Sequence, residues 1–533
     1  MSIDGWDWQH ALLPALVLVP LTGAAVMFAV RRLTSSAAAQ LGTIVSLLTL
    51  ALAAAATLVG GREASEGLGE AQLEVDAPWV PALGLRLHLG IDGISAPLIL
   101  LTAILGVLVC SHLIQVRPVA GDVRRLVGCV LAVTGGAILT FTAMDLFLFF
   151  IAFEIVLIPM WFVIAFWGDD QQPDEPQPTG TPRPGGEPAR RDAAMRFVLY
   201  TAGGSAVMLL GIILVVLRAG TSDLAELTAQ HGSAMSQGVQ VTAAVLIVLG
   251  LAIKAPMFPF HTWLPPAHTI APTGGSVLLA GVLLKLGTYG LIRIAVPVLP
   301  DGMREIAPYL GLLGVIGVLW AGMACLVETD LKRLVALSSV AHMGFVLLGI
   351  ASMTPAGLQG ALYANIAHGV VTALLFFVVG ALKDRHHTAD LRLLGAGLRD
   401  RLPRLGWLLT LGAIAGLGLP GLAVFWGELL AIVGAWQADG SGALGALARP
   451  LAVAGAIGTV VAAAYWLRVL RMFWQGEPEP RWSGAVMGDA TAHESATTAP
   501  LVAATIGLGL VPGPLLALTE PVVTSLLRAG GSS

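Results

Sequence analysis

Six ionisable side chains stand inside stretches of sequence that are otherwise apolar. They are two glutamates, two lysines and two histidines: Glu154, Lys254, Lys285, His342, His368 and Glu428. A charged group at the centre of a lipid bilayer costs about 2.5–3.5 kcal/mol on insertion scales, and such groups usually mark ion or proton pathways. Neutral imidazoles can accept and release a proton near neutral pH. These residue types therefore indicate proton transfer through an apolar protein.

Each of these residues also has a structural interpretation. A carboxylate could pair with a lysine for stability alone, and a lysine near the end of an apolar run could extend its ammonium group to the interface. Lys285 lies about 15 Å from the nearest end of its run, where such extension is least available. For the two histidines, a satisfied core residue and a proton relay stay equally open. His261 and His268 flank a proline-rich segment, where a relay or a cap on free carbonyls both fit.

The composition limits the class of protein. The chain has 533 residues, of which 12% are charged and 56% hydrophobic, and its mean hydropathy is +0.83. Soluble domains carry about twice that share of charge, so a soluble enzyme, a disordered chain and a nucleic-acid-binding domain are excluded. The three cysteines lack metal-ligand spacing, and no glycine-rich nucleotide loop is present. We therefore expect no cofactor in this chain, and any redox chemistry must occur elsewhere.

Fourteen apolar runs approach the roughly twenty residues that a helix needs to cross the bilayer. They are residues 11–30, 39–60, 94–114, 126–143, 146–167, 193–217, 241–260, 275–299, 306–327, 334–353, 358–382, 405–436, 451–474 and 497–518. Nineteen arginines and lysines lie in one set of alternate connections and six in the other. Basic loops face inward, so both termini are predicted on the outer side. Arg196 and Arg293 lie near span ends, where they can extend to the interface.

Two of the predicted spans are interrupted. In the seventh, Lys254 is followed by APMFPFHTWLPP, and in the twelfth Glu428 lies in GLGLPGLAVFWGELL. Proline removes helical hydrogen bonds, and interrupted spans at matching places in two halves of a chain indicate an inverted repeat with its site at the breaks. We therefore expect an all-α polytopic membrane protein of about fourteen spans, with two inverted five-helix repeats and broken helices 7 and 12.

The expected organisation has four parts. Residues 1–125 hold helices 1–3 and an outer loop, residues 126–299 the first repeat with helices 4–8, residues 300–474 the second repeat with helices 9–13, and residues 475–533 helix 14 and a short tail. Apolar residues in the outer loop, between positions 61 and 92, predict a small hairpin packed over the bundle.

Several segments resemble a known family. FLFFIAFEIVLIPMWFVIAFWG, KAPMFPFHTWLPPAHTIAPTGGSVLLAGVLLKLGTYGLIR, DLKRLVALSSVAHMGF and GLPGLAVFWGE are similar to the antiporter-like membrane subunits of complex I, the proton-pumping NADH:quinone oxidoreductase. The resemblance implies that Glu154 and Lys254 form the ion pair of the first unit and that Lys285 is the connecting lysine. It also implies that Glu428 is the terminal residue of the second half-channel, with His342 and His368 on the axis between.

Within this family, a glutamate at the twelfth-span break resembles the M-type subclass, whereas sister subunits and Mrp-type cation/proton antiporters place lysine there. The resemblance implies a proton-translocating subunit in the cell's inner membrane, with the L-type and N-type sister subunits as partners and the lipid bilayer around it. NADH, FMN, iron–sulfur clusters and quinone are then expected in other subunits. An Mrp-type antiporter subunit and a structural membrane scaffold with vestigial charges remain as alternatives.

Overall fold

The computed structural model describes residues 8–63, 73–80, 85–116, 121–169, 187–438, 442–474 and 487–529. Within these ranges the chain is almost entirely helical, and twelve helices are long and apolar enough to cross a membrane. A bent pair of helices near the C-terminus raises the number of candidate spans to thirteen. The mostly helical, multi-span fold is confirmed, while the number of fourteen spans and the inverted repeats stay predictions.

The helical bounds follow the apolar runs closely. The first seven candidate spans are Trp8–Ala29, Ser35–Glu63, Ser95–Gln115, Val123–Thr142, Leu146–Trp167, Glu187–Ala219 and Gln237–Lys254. The next five are Thr273–Val298, Pro300–Val327, Leu331–Ser352, Pro355–His386 and Ala448–Trp474. Shorter helices are Leu224–Gln230, Leu264–Ile270, Leu391–Leu394, Leu398–Arg401, Pro403–Gly416 and Ala423–Gln437.

Two strands form a hairpin between the second and third helices, as the apolar residues of this loop predict. Strand β1, Leu73–Val80, pairs antiparallel with β2, Leu85–Ile91. A further bridge joins Leu89 to Ala143, at the end of the fourth span. The hairpin is therefore tied to the membrane bundle by backbone pairing as well as by side chains.

Both predicted breaks are present. The seventh span ends as a regular helix at Lys254, and the chain continues through a 3₁₀ turn, Phe260–Trp263, into Leu264–Ile270. The twelfth is divided between Gly416 and Ala423, where Gly418 and Gly421 have φ angles of +77° and +92°. These φ values suit glycine and interrupt the helix, because other L-residues rarely adopt them.

The fourteenth predicted span differs from the expectation of one continuous run. Helix Ala492–Leu510 ends at Val511, and a second helix, Gly513–Ala529, leaves at an angle of 71°. Pro512 explains the break, because a proline disfavours helical geometry in the residue before it. The conformation of Val511 is non-helical, with φ −129° and ψ 72°.

The centre of the bundle contains three helices whose apolar segments are wholly buried: Thr273–Val298, Leu331–Ser352 and Pro355–His386. Close backbone contacts hold their neighbours against them. A Cβ atom on Gly427 would lie 2.6 Å from Cα of Ala364, and one on Gly287 would lie 2.5 Å from the carbonyl oxygen of Leu251. Glycine at these two positions lets the second half of the twelfth span and the end of the seventh approach the central helices.

Candidate functional site

The three central helices carry three of the six predicted residues: Lys285, His342 and His368. Glu428 reaches them from the second half of the broken twelfth span, beside Gly427. All four side chains are buried. Their polar groups therefore face protein instead of lipid, which is the condition under which membrane proteins retain ionisable residues.

Two π turns, Leu279–Leu283 and Leu291–Ala295, flank the segment that carries Lys285. The Lys285 Nζ atom donates a hydrogen bond of 2.6 Å to the carbonyl of Ala280, five residues earlier in the chain. Single π turns inside α-helices occur frequently at functional sites. The irregular helix thus directs the lysine along the helix axis and gives its ammonium group one backbone partner.

The four residues form one line through the bundle. Lys285 Nζ lies 2.5 Å from His368 Nδ1, and the rings of His368 and His342 are 5.5 Å apart between centroids. His342 Nδ1 lies 2.9 Å from Glu428 Oε1. The structure brings these four of the six predicted residues together, while their role in proton transfer stays a prediction. The line joins the eighth, eleventh, tenth and twelfth spans in that order.

Polar atoms beside this line lack partners among the described residues. His368 Nε2 and Asn365 Nδ2 are buried and have no hydrogen-bond partner there. The Asn365 Oδ1 atom accepts a hydrogen bond of 2.8 Å from Thr288 Oγ1. Buried polar groups are nearly always paired in folded proteins, so each exception requires an explanation. Of these two atoms only His368 Nε2 belongs to a group that titrates, because an amide does not exchange its protons in this way.

Glu154 and Lys254 lie outside the line. Lys254 is the last residue of the seventh helix, and its Nζ lies 4.6 Å from the ring centroid of Phe153. Within the described part of the chain, neither Lys254 Nζ nor Glu154 Oε1 has a hydrogen-bond partner. The two residues interact electrostatically without a hydrogen bond between them, and the ion pair that the family resemblance implies stays a prediction.

The two histidines that flank the seventh-span break are also buried. His261 stacks near Phe258 and Trp320, and both ring nitrogens of His268, which stacks on Phe376, lack partners in the described ranges. Within the described segments, neither imidazole caps a free carbonyl. The break is held instead by the indole of Trp263, which donates to the carbonyl of Ile253 at 3.0 Å.

Arg293 corrects the sequence analysis. We expected it to extend to the interface from a span end, but only 8% of it is exposed, and it forms a 2.5 Å ion pair with the buried carboxylate of Asp92. The other carboxylate oxygen of Asp92 accepts hydrogen bonds from the backbone of Ile94 and Ser95. The pair therefore anchors the start of the third span to the end of the eighth.

A second polar cluster, which we name the hairpin clamp, consists of Glu74, His88 and Asp223. His88 is buried, with Nδ1 2.5 Å from Asp223 and Nε2 in contact with Glu74. Burial lowers the pKa of His88, but the hydrogen bonds and charges of Asp223 and Glu74 outweigh burial and raise it. Burial likewise raises the pKa of Asp223, while the hydrogen bond from His88 and backbone N–H groups lower it overall. The clamp therefore favours a charged imidazole between two carboxylates.

These features match a known class of membrane protein. The family described as NADH:quinone oxidoreductase/Mrp antiporter, TM, matches residues 183–448. NADH-quinone oxidoreductase subunit M of Escherichia coli K12 is 34% identical over 525 residues, covering 97% of each chain. The subunit M of Rhodobacter capsulatus is 34% identical over 534 residues, covering 97% of this chain and 96% of its own. The chain belongs to this family of multi-pass membrane proteins.

Solved structures agree with this assignment. A chain of respiratory complex I from Thermus thermophilus superposes with a TM-score of 0.81 at 28% identity, covering 98% of this chain and 100% of its own. A chain of the Mrp complex from a Dietzia species has a TM-score of 0.79 at 21% identity, covering 99% and 100%. At 21% identity, the similarity to the Mrp chain shows a shared fold alone. The curated relatives at 34% identity are NADH-quinone oxidoreductase subunits M.

Proposed function

We propose that this chain is the M-type proton-translocating membrane subunit of a proton-pumping NADH:quinone oxidoreductase. The observation that carries the proposal is the buried line from Lys285 through His368 and His342 to Glu428. The relatives at 34% identity over nearly the whole chain support the same function. A glutamate at the twelfth-span break, instead of a lysine, supports the M type over its sister subunits.

The geometry suggests how a proton would move. A proton on the Lys285 ammonium passes to Nδ1 of His368, whose unpartnered Nε2 can release it toward His342. His342 then releases it from Nδ1 to the carboxylate of Glu428, which becomes neutral. Each histidine accepts on one ring nitrogen and releases from the other, so both return to the neutral form with the opposite tautomer. The centroids of the two rings are 5.5 Å apart, so this step joins neighbouring imidazoles.

Glu154 and Lys254 act at the entrance to this line in our proposal. Burial disfavours the ammonium form of Lys254, and a nearby carboxylate favours it. Because Lys254 has no fixed acceptor among the described residues, a small movement of Glu154 would change the lysine's preference for a proton. Redox chemistry in other subunits would drive this movement, and the released proton would pass to Lys285. Gly287 brings the eighth span against the seventh-span break and shortens that step.

The cofactors, the partner subunits, the membrane location and the internal repeats are also part of our proposal. We infer that NADH, FMN, iron–sulfur clusters and quinone bind to other subunits, and that the L-type and N-type sister subunits adjoin this chain. We place the chain in the cell's inner membrane with both termini on the outer side. Two inverted five-helix repeats, residues 126–299 and 300–474, would relate the two breaks. Isolating the native complex and identifying its companion chains by mass spectrometry would test the assignment. Cation-exchanger subunits in their place would favour the Mrp-type alternative.

The direct test uses the assembled complex in sealed vesicles. We expect Glu154→Gln and Lys254→Ala to lower NADH-driven proton transport by an order of magnitude or more, the range over which positioned acid–base groups act. The matched control is Glu520→Gln, which removes a carboxylate from an exposed position. Equal transport by Glu154→Gln and Glu520→Gln, at equal amounts of assembled complex, would refute the proposal. Transport that requires sodium ions would favour an antiporter.

A further inference from the structure

A cavity of about 720 Å³ opens where three helices end at the same level of the bundle. It lies between the C-terminal end of Trp8–Ala29, the N-terminal end of Val123–Thr142 and the C-terminal end of Leu157–Trp167. One water molecule occupies about 30 Å³ in the liquid, so the cavity holds about two dozen. It is therefore large enough for a molecular headgroup and far larger than a single ion requires.

The polar rim of the cavity is positively charged. Among the described residues, Arg31, Arg124 and Arg125 line it together with a single acidic residue, Asp122. Asp122 lies 2.9 Å from Arg124 and 3.7 Å from Arg125, so one carboxylate is shared between two guanidinium groups. Arg124 is buried and also donates to the carbonyls at the end of the first helix, whereas Arg31 and Arg125 are exposed. Within the described lining, three positive charges against one negative charge leave an excess of two.

The opposite wall of the cavity is apolar. Ile158, Phe162 and Phe166 follow one another at intervals of four residues, so they lie on one face of the helix. Their exposed fractions are 62%, 39% and 52%. Eight residues at 1.5 Å each make a stripe of about 12 Å, which runs from the level of the arginines toward the middle of the membrane. The stripe is continuous with the outer surface of the bundle.

We propose that this cavity binds an anionic phospholipid, with its phosphate between Arg31 and Arg125 and an acyl chain along Ile158, Phe162 and Phe166. Basic pockets between transmembrane helices bind anionic headgroups, and the guanidinium group suits phosphate oxygens. The apolar stripe distinguishes a lipid from a free phosphate ion, because a free ion would gain nothing from it. This inference does not depend on the proposed function, since it concerns a surface away from the buried line.

In the first test, the purified complex is exchanged into nanodiscs made of phosphatidylglycerol and phosphatidylcholine. The phosphatidylglycerol that stays bound to the complex is then measured by mass spectrometry. Arg31→Gln and Arg32→Gln remove the same charge from adjacent exposed positions, but only Arg31 lines the cavity. At 0.15 M salt, where screening acts over about 8 Å, we expect Arg31→Gln to reduce retention about fivefold and Arg32→Gln less than twofold. Adding Arg125→Gln should reduce it about fivefold again. Equal effects of Arg31→Gln and Arg32→Gln would overturn the proposal.

The second test identifies the occupant without changing any charge. Phe166 is replaced by the photoreactive p-benzoylphenylalanine in the otherwise unchanged complex, which is then irradiated in the same nanodiscs. We expect an adduct with the mass of phosphatidylglycerol, and excess inorganic phosphate should leave its yield unchanged. A crosslink to another protein chain would show that a neighbouring subunit fills the cavity and would overturn the proposal. Complete loss of the lipid adduct in inorganic phosphate would assign the site to free anions instead.

Discussion

The buried line and the hairpin clamp both place charged groups out of water, but they satisfy those groups differently. In the clamp, both nitrogens of His88 contact carboxylates, and both oxygens of Asp223 accept hydrogen bonds. Along the line, His368 Nε2 has no hydrogen-bond partner in the described part of the chain. Completely paired groups hold one protonation state and one geometry. Incompletely paired groups can change both, which proton transfer requires.

The largest expected effect comes from removing the buried charge at the centre of the line. Lys285→Met keeps the side-chain volume and removes the ammonium group. We expect NADH-driven proton transport to fall by at least an order of magnitude, because a positioned proton donor is lost. Thermal stability should stay equal or rise, because replacing buried charge with an apolar side chain of similar volume is often neutral or stabilising. Proton uptake by vesicles and the melting temperature of the complex measure the two effects.

A matched substitution shows whether position or charge matters. Lys383→Met removes a lysine that is paired with Asp169, outside the line. Transport per assembled complex should stay within about twofold of the unaltered protein, since no group of the line is touched. If Lys285→Met retained full transport, or if it destabilised the complex as strongly as it slowed transport, the buried line would be a structural feature like the clamp.

The intermediate effect concerns the Asp92–Arg293 pair, which we group with the clamp. Arg293→Met leaves the Asp92 carboxylate buried without its partner, and breaking a buried pair costs about 3–5 kcal/mol. We expect much less assembled complex on native gels and a lower melting temperature. Adding Asp92→Asn should restore part of the loss, because the amide oxygen can still accept the backbone hydrogen bonds of Ile94 and Ser95. Lost transport with assembly intact would place Arg293 in the proton pathway.

The sequence predicted the parts of this comparison that depend on local pattern. Apolar runs give membrane helices because lipid cannot hydrogen-bond to the backbone, and proline or glycine marks the interruptions. Ionisable residues within such runs are few and therefore conspicuous. For this reason Lys285, His342, His368 and Glu428 could be named in advance, and the structure brings them into one line.

The remaining features depend on contacts between distant residues. Asp92 and Arg293 are 201 positions apart, and His88 and Asp223 are 135 apart, so no local pattern joins them. Arg293 follows Lys285 by eight residues on the same helix, a spacing that could have suggested an inward-facing arginine. The π turns around Lys285 have no sequence signal, because they arise from packing of the whole central bundle. The contact of the Lys254 ammonium group with the Phe153 ring is likewise a property of tertiary geometry.

The smallest expected effect is the pH dependence of the clamp. The pKa of His88 is raised above its ordinary value of 6.5, so the clamp stabilises the hairpin fully below pH 6.5. This stabilisation is lost as the pH rises through the raised pKa, because a neutral imidazole can donate only one hydrogen bond. The Glu74 side chain is 45% exposed, and exposed ion pairs contribute about 0.2–1 kcal/mol to stability. We therefore expect hydrogen exchange in the strands Leu73–Val80 and Leu85–Ile91 to accelerate up to about fivefold as the pH rises.

Hydrogen–deuterium exchange of the assembled complex, corrected for the intrinsic effect of pH, measures this acceleration. His88→Gln should remove it, because glutamine does not titrate, whereas His231→Gln changes an exposed histidine and should leave it intact. Proton transport per complex should respond little to His88→Gln. A different result would be a fall in transport in His88→Gln as steep as in Lys285→Met, with the hairpin still protected from exchange. The clamp would then carry protons like the buried line. Complete pairing would in that case not distinguish structural groups from proton-carrying groups.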